Sequence, residues 1–478
     1  MEYFRYYNKN DEALDMYQRL IQYWNIIFDR KNSLNILDNM NFSKNVFDDI
    51  LKISELNELS EIEPGYASPD SSSELSALIK SLETVRLIKA KDKRDRTSIE
   101  EFFEKCGVGC GNGCSNVMNG LLNSIYKHET ERFIDRIPEV ILPFPNYTVY
   151  AAQLSNMTNK INSRYIHTKR ENGFLPTLAE INAVVTSSTM AVVITYPNNP
   201  AQTTYTDGNV HEIAEIVKLC QKRKIFLIVD NIYQDLVYDN EQIFAEVFKF
   251  THSPKYVFKV YGASKDTPYF SGYRTGYWIG DPCILDTYRY FISSTENSLN
   301  TYTNVLFAFN LYFKRLLVEN RIPAIEDMDA FENGVFGWNP DFSRRKLYER
   351  IMKTRIFEKY QNRIMQSNEI QRNANKRIRE FVCSCHVFED YVNMDIGNVF
   401  FIKINPEYFN GTDIDFFYWC LSVARCGILP GNVFGLPITE GDVWFRITLI
   451  HEEVENIVAY LQYIVDCLMK RSRQCKGM

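Results

Sequence analysis

The sequence predicts an α/β fold: a large domain with a mostly parallel sheet between helices, followed by a smaller α+β domain. Three observations carry this. Ala191-Val192-Val193-Ile194 and Ile225-Phe226-Leu227-Ile228-Val229 are short, unbroken apolar runs, as strands buried on both faces should be. Between them, Val210, Ile213, Ile216, Val217 and Cys220 mark one face of a helix. A third run, residues 256–260, completes a series of strands joined by right-handed crossovers. We place an N-terminal helical arm or cap at residues 1–62, the large domain at 63–340 and the small domain at 341–478.

Composition narrows the function. The 478 residues are 45% hydrophobic, enough for a large core, and carry a formal charge of −6, which does not fit a nucleic-acid footprint. Six scattered histidines argue against a zinc hydrolase, and no apolar run is long enough to span a membrane. The first residues are too charged and polar for a signal peptide, so a cytoplasmic location is expected. Among eleven cysteines, Cys106, Cys110 and Cys114 recur every four residues and Cys383 and Cys385 form a second group. Neither group has the paired spacing of a zinc site, so most should be buried thiols.

Taken in order, the arm is rich in Asn, Leu and Ile and, up to Glu61, holds 7 Lys/Arg against 11 Asp/Glu, which argues against a DNA-reading extension. A turn-rich loop around Tyr66 precedes a helix with Leu75, Leu78, Ile79 and Leu82 at helical spacing. The glycine-rich stretch Gly107-Val108-Gly109-Cys110-Gly111-Asn112-Gly113 reads as a turn opening a helix at Cys114 and Ser115. Free N–H groups and the positive end of the helix dipole there would seat a phosphate. The strand at residues 140–144 ends near Tyr147, a flat face for an aromatic ring.

The three apolar runs end in Asn199, Asp230 and Lys265. In open α/β sheets, ligands bind at the carboxyl edge of the strands. Ser264-Lys265 sits in a small-residue loop, and Arg274 follows between Gly272 and Gly276. A lysine at the end of a buried strand can lose its proton and act as a nucleophile toward an aldehyde, while an arginine nearby can hold a phosphate. Residues 300–380 look helical and charged, with loop signals near Asn333 and Asn339. Arg446 lies inside the apolar strand 443–449, where it needs an anion or a carboxylate partner. A closing amphipathic helix runs through Val454, Ile457, Leu461, Ile464 and Leu468.

These residues resemble the class I/II aminotransferases, pyridoxal-phosphate enzymes of fold type I, in the family's order over residues 63–470. The resemblance rests on Tyr196-Pro197-Asn198-Asn199-Pro200, Asp230-x-x-Tyr233, Ser264-Lys265 with Gly272-Tyr273-Arg274-Thr275-Gly276, Leu429-Pro430-Gly431-x-x-Phe434-Gly435 and Phe445-Arg446-Ile447. It implies pyridoxal 5'-phosphate as cofactor, held as a Schiff base on Lys265. The same lysine would move a proton between the substrate and the cofactor. Asp230 would face the pyridine nitrogen, Asn199 and Tyr233 the ring oxygen, and Tyr147 the ring plane. Cys114, Ser115, Ser264 and Arg274 would hold the phosphate, joined by Tyr66 of a second subunit in a homodimer. Arg446 would grip the α-carboxylate of an amino acid, with a keto acid as the other substrate. The same pocket could instead run lyase, decarboxylase, cyclase or oxidase chemistry, or serve a non-catalytic relative. The chain departs from the family pattern with Ala201-Gln202 after the Asn-Pro turn, Ser71 in the Tyr66 loop, Gly262 three residues before the lysine, and one extra residue between Lys265 and Arg274.

Overall fold

The computed structural model describes residues 12–41, 72–157, 161–237, 244–268, 270–296, 300–331 and 343–476. Tyr66, Ser71 and the loop signals near Asn333 and Asn339 lie outside these residues. The strands are β1 (Asn35–Ile36), β2 (Gly107–Gly111), β3 (Glu139–Phe144), β4 (Asn162–His167), β5 (Thr189–Thr195), β6 (Phe226–Asp230), β7 (Val257–Tyr261), β8 (Gly276–Gly280), β9 (Phe388–Val392), β10 (Val399–Ile404), β11 (Cys426–Gly427), β12 (Leu429–Pro430) and β13 (Trp444–Thr448). Seven of them form one sheet in the order β2-β8-β7-β6-β5-β3-β4. Its β7-β6-β5-β3-β4 part is parallel, while β8 runs antiparallel to both β7 and β2. A four-stranded antiparallel sheet, β12-β13-β10-β9, forms the smaller unit.

The apolar runs at 191–194 and 225–229 are central strands with every residue buried, which is what removed all polar side chains from them. The helix between them, Val210–Arg223, lays Ile213, Ile216, Val217 and Cys220 against the sheet. Two large hydrophobic clusters result among the described residues, one around the seven-stranded sheet and one around the four-stranded sheet. The helix Val454–Lys476 packs Ile457, Leu461, Ile464 and Leu468 into the second. Segments around 300–380 fold into the helices Thr301–Glu319, Arg344–Thr354 and Ile356–Ser384.

Two expectations need correction. The glycine-rich stretch is a turn only at Asn112–Gly113; residues 107–111 are the edge strand β2, paired with β8. Its glycines are demanded by close neighbours rather than by turning. A Cβ on Gly109 would run into the Trp278 indole, and one on Gly107 would come within 2.9 Å of Pro282 Cα. The arm, in turn, is more than a helical cap. After the helix Glu12–Asp29 it gives β1 to the small unit, where β1 pairs in parallel with β11, and Leu20, Tyr23, Ile27, Leu34 and Leu37 join the second cluster.

The cysteines behave mostly as expected. Cys106, Cys110, Cys114, Cys220, Cys420 and Cys426 are buried, while Cys283 and Cys383 are exposed. Among the described residues there is no group of His, Cys, Asp or Glu able to hold a metal, and no helix long and apolar enough to cross a membrane.

One feature of the core carries no signal in the apolar pattern. Lys259, in the middle of β7, is fully buried and bonds Glu83 and Glu246, both at 2.6 Å. Arg86 joins Glu83 to Asp235, and Lys314 joins Asp235 to Asp266, the residue after Lys265. Four carboxylates thus surround three cations. Burial pushes Glu246 and Asp266 upward despite their lysines, whereas at Glu83 the same burial is outweighed by Lys259 and Arg86. Removing one member of such a set strands charges in the interior, which costs about 3–5 kcal/mol. Lys259→Met should therefore lower the unfolding free energy by roughly that amount in a urea titration. A change under about 1 kcal/mol would mean that the set contributes little.

Candidate active site

The parallel order β7-β6-β5-β3 puts four strand ends side by side, so that Lys265, Asp230, Asn199 and Tyr147 leave neighbouring strands at one edge. The ends are also tied together directly. Asn231 Nδ2 donates to Tyr196 O at 2.6 Å, and Asn198 Nδ2 to Pro145 O at 3.1 Å.

Asp230 is buried. Burial raises its pKa to about 6, against the lowering effects of a hydrogen bond donated by the Tyr150 hydroxyl, the Ile232 N–H and the Lys265 charge. Tyr150 was not foreseen as a site residue. It stands at the start of the helix Val149–Ser155, just after the strand end that carries Tyr147. The two rings meet edge to face at 5.6 Å, which leaves the Tyr147 ring half-buried over the strand ends.

Lys265 is half-buried, and its pKa falls to about 8. Desolvation is the largest cause, followed by the positive charges of Arg446 and Arg274. Asn398 donates to Lys265 O at 3.4 Å, and the next residue, Asp266, is tied to Lys314 in the buried ion set.

The helix Cys114–His128 starts beside this lysine with no side-chain cap, so its first N–H groups face outward. Arg274 closes over it: a Cβ on Gly113, whose φ is +86°, would lie 2.7 Å from Arg274 Nη2. The extra residue in the loop is thus absorbed, with Arg274 itself in the left-handed region at φ 51°. Gly262 also finds a reason. A Cβ there would sit 2.8 Å from Cys114 Sγ and 2.7 Å from Thr275 O, so the Cys114 sulfur fills the space that a larger residue at 262 would need. Ser115 hydrogen-bonds the Tyr147 hydroxyl, and Ser264 is half-buried next to Lys265.

On the other side of the edge, Arg446 leaves β13 fully buried and lies 4.7 Å from the ring centre of Phe434. Its Nη1 donates to Asn199 Oδ1 at 2.9 Å. Its Nε and Nη2 donate, both at 2.8 Å, to the two carboxylate oxygens of Asp38. The fork that the resemblance gives to a substrate carboxylate therefore already holds a carboxylate of the arm. Nothing near Asp38 in the sequence signals this; only the pairing of β1 with β11 brings it here. Tyr233 is buried close to Arg446 and Asp230, and burial keeps its hydroxyl protonated well above its usual range.

The residues fit a phosphorylated aromatic aldehyde. The uncapped helix end with Arg274 suits a phosphate, buried Asp230 suits a ring N–H, and Lys265 suits the aldehyde. Residues 113–304 match the family model for aminotransferase class I and II. An asparagine–oxo-acid transaminase of Streptococcus mutans is 30% identical over 167 residues, 34% of this chain and 40% of that protein. An aspartate aminotransferase of Thermotoga maritima is 28% identical over 169 residues, 35% of this chain and 42% of that protein. The matched segments thus span well under half of these relatives. In three dimensions the likeness extends over nearly the whole chain. An aminotransferase from Mycobacterium tuberculosis superposes with a TM-score of 0.67 at 14% identity, covering 94% of this chain and 96% of that one. One from Escherichia coli gives 0.66 at 16% identity, covering 97% and 98%.

The depressed pKa of Lys265 can be read by chemistry. Only the neutral amine adds to an aldehyde, so borohydride-trapped labelling of Lys265 should rise about tenfold per pH unit below about 8 and level off above it. Surface lysines should keep rising to about 10.4. Mass spectrometry of peptides labelled across the pH range checks this, and a Lys265 profile matching the surface lysines would contradict it.

Proposed function

We infer that the chain is a pyridoxal-5'-phosphate-dependent aminotransferase of the class I and II family, whose model residues 113–304 match. The observation that carries the reading is a lysine with pKa about 8 on the same sheet edge as a buried aspartate and an uncapped helix end. When bound, the cofactor supplies an aldehyde for amine exchange and a ring that withdraws electrons from the reacting carbon.

The chain's residues account for the rest. Lys265 would provide the amine that holds the aldehyde and a base of pKa about 8 to move the proton at the reacting carbon. Asp230 holds a proton at the ring nitrogen. Its raised pKa belongs to the protein without that positive partner, and a ring N–H would favour its carboxylate form. The Tyr150 hydroxyl keeps that carboxylate in place. Tyr147 would pack on the ring plane, and Asn199 and Tyr233 would face the ring oxygen. Arg274, Cys114, Ser115 and Ser264 would hold the phosphate at the helix end. A homodimer, with Tyr66 of a second subunit reaching the phosphate, and a cytoplasmic location complete the reading.

The purified protein should take up pyridoxal phosphate with a visible absorption band that borohydride bleaches and Lys265→Ala abolishes. A protein that stays colourless at millimolar cofactor contradicts the reading. Arg274→Ala should weaken cofactor binding by about 1.5–3 kcal/mol, roughly 10- to 150-fold in Kd by spectral titration, the range for a hydrogen bond to a charged group.

A further inference from the structure

We propose that Asp38 sets substrate specificity by supplying from within the chain the carboxylate that Arg446 would otherwise take from a substrate, so that the site acts on primary amines with no carboxylate on the reacting carbon. The proposal rests on the aminotransferase reading and narrows its substrate class.

The fork of Arg446 is fully used. Two of its nitrogens bond both oxygens of Asp38, and the third bonds Asn199. Both members of the ion pair are buried, at 2% and 1% exposure, so the pair is shielded from solvent screening. A substrate carboxylate arriving here would find no free pair of donors and would face the negative charge of Asp38. Clearing Asp38 away would mean peeling off the strand that carries it, and that strand is firmly docked. Asn35 N donates to Arg425 O at 2.8 Å, Leu37 N to Gly427 O at 2.8 Å and Asp38 N to Gly427 O at 3.1 Å. Thr448 N donates to Leu37 O at 2.8 Å, and Asn39 N donates to Thr448 Oγ1 at 2.9 Å. The ring of His451 bonds Ile36 O. Leu34 and Leu37 are buried in the cluster of the small unit. Fixed on both flanks, Asp38 is part of the site wall.

The reaction balances without a carboxylate. A donor R–CHR′–NH₂ gives up its amino group and the hydrogen on its carbon, and leaves as R–CO–R′ with oxygen from water. The two electrons released stay with the enzyme-bound amine form. An aldehyde or ketone acceptor, also lacking a carboxylate at its carbonyl carbon, takes up the amino group, the electron pair and a proton, and returns the oxygen as water. No other oxidant is needed.

Two measurements decide. With the cofactor-loaded enzyme, the first half-reaction is followed by absorbance for pairs that differ in the α-carboxylate alone: alanine against ethylamine, phenylalanine against 2-phenylethylamine, glutamate against 4-aminobutyrate. We expect the member without the α-carboxylate to react with at least about tenfold higher kcat/KM. Preference for the amino acids overturns the proposal while leaving the aminotransferase reading intact. The second measurement needs no cofactor. Calorimetry with propionate should give a Kd at least about tenfold lower for Asp38→Asn than for the wild-type protein, because an amide carries no charge to neutralise Arg446. Equal or weaker binding to the variant overturns the proposal. This gain is one that a purely structural role for Asp38 would not produce. Should Asp38→Asn not fold, Asp38→Ser, which keeps an acceptor for Arg446, replaces it. If neither member of any pair reacts, the propionate comparison decides alone; if the protein takes up no cofactor, the aminotransferase reading fails and the binding comparison still judges the role of Asp38.

Discussion

The buried ion set behind β7 is the interaction on which the site depends. Lys259 and Tyr261 point to the same face of that strand. There Lys259 meets Glu83 and Glu246, while the Tyr261 hydroxyl donates to Asp266 at 2.6 Å and receives a hydrogen bond from Lys314 at 2.7 Å. The helices Ser72–Lys89 and Thr301–Glu319 contribute Glu83, Arg86 and Lys314, so the set clamps the strand between them. Asp266 is the neighbour of Lys265 in the chain. A reactive lysine in a loop would otherwise sample many positions; anchoring the next residue to a buried cation restricts it, at the cost of desolvating several charges.

In front of the sheet a second set of charges is arranged to opposite effect. Lys265 faces Arg446 and Arg274, among the described residues no carboxylate bonds its amine, and its pKa drops to about 8. Asp230 is raised to about 6 by burial, against the lowering pull of Tyr150, the Ile232 N–H and Lys265. An acid and a base are thus brought within about two units of each other from ordinary values more than six apart. Such convergence is expected where protons must move at neutral pH. Asp38 completes this field. It balances Arg446 and so limits how far the two arginines depress Lys265, to which its charge contributes in the raising direction.

Much of this was legible from residue order. Apolar runs without polar interruption gave central strands because both of their faces are covered, and the polar residues terminating them fell at one edge because parallel strands share a direction. Asn199, Asp230 and Lys265 could be named on that basis, and Tyr147 for the aromatic face it offers. The glycines of residues 107–111 misled because a glycine looks the same in the sequence whether it turns the chain or makes room for a neighbour; here Trp278 and Pro282, far along the chain, decide. Tyr150 gave no sign, since its role depends on how the start of its helix packs against the Asp230 carboxylate. Nor did Lys259, since one lysine among apolar residues does not tell whether it faces solvent or carboxylates.

The sequence by itself determined the strand ends and the chemistry they carry, because those depend on local composition and on the direction of parallel strands. Only the tertiary structure decided what stands opposite Arg446. Asp38 lies 408 positions away in the chain and reaches the fork through a two-residue strand paired with β11, a contact with no local pattern to announce it. A buried arginine demands a negative partner, and that demand can be read from the sequence. Whether the chain or a ligand meets it depends on long-range packing alone.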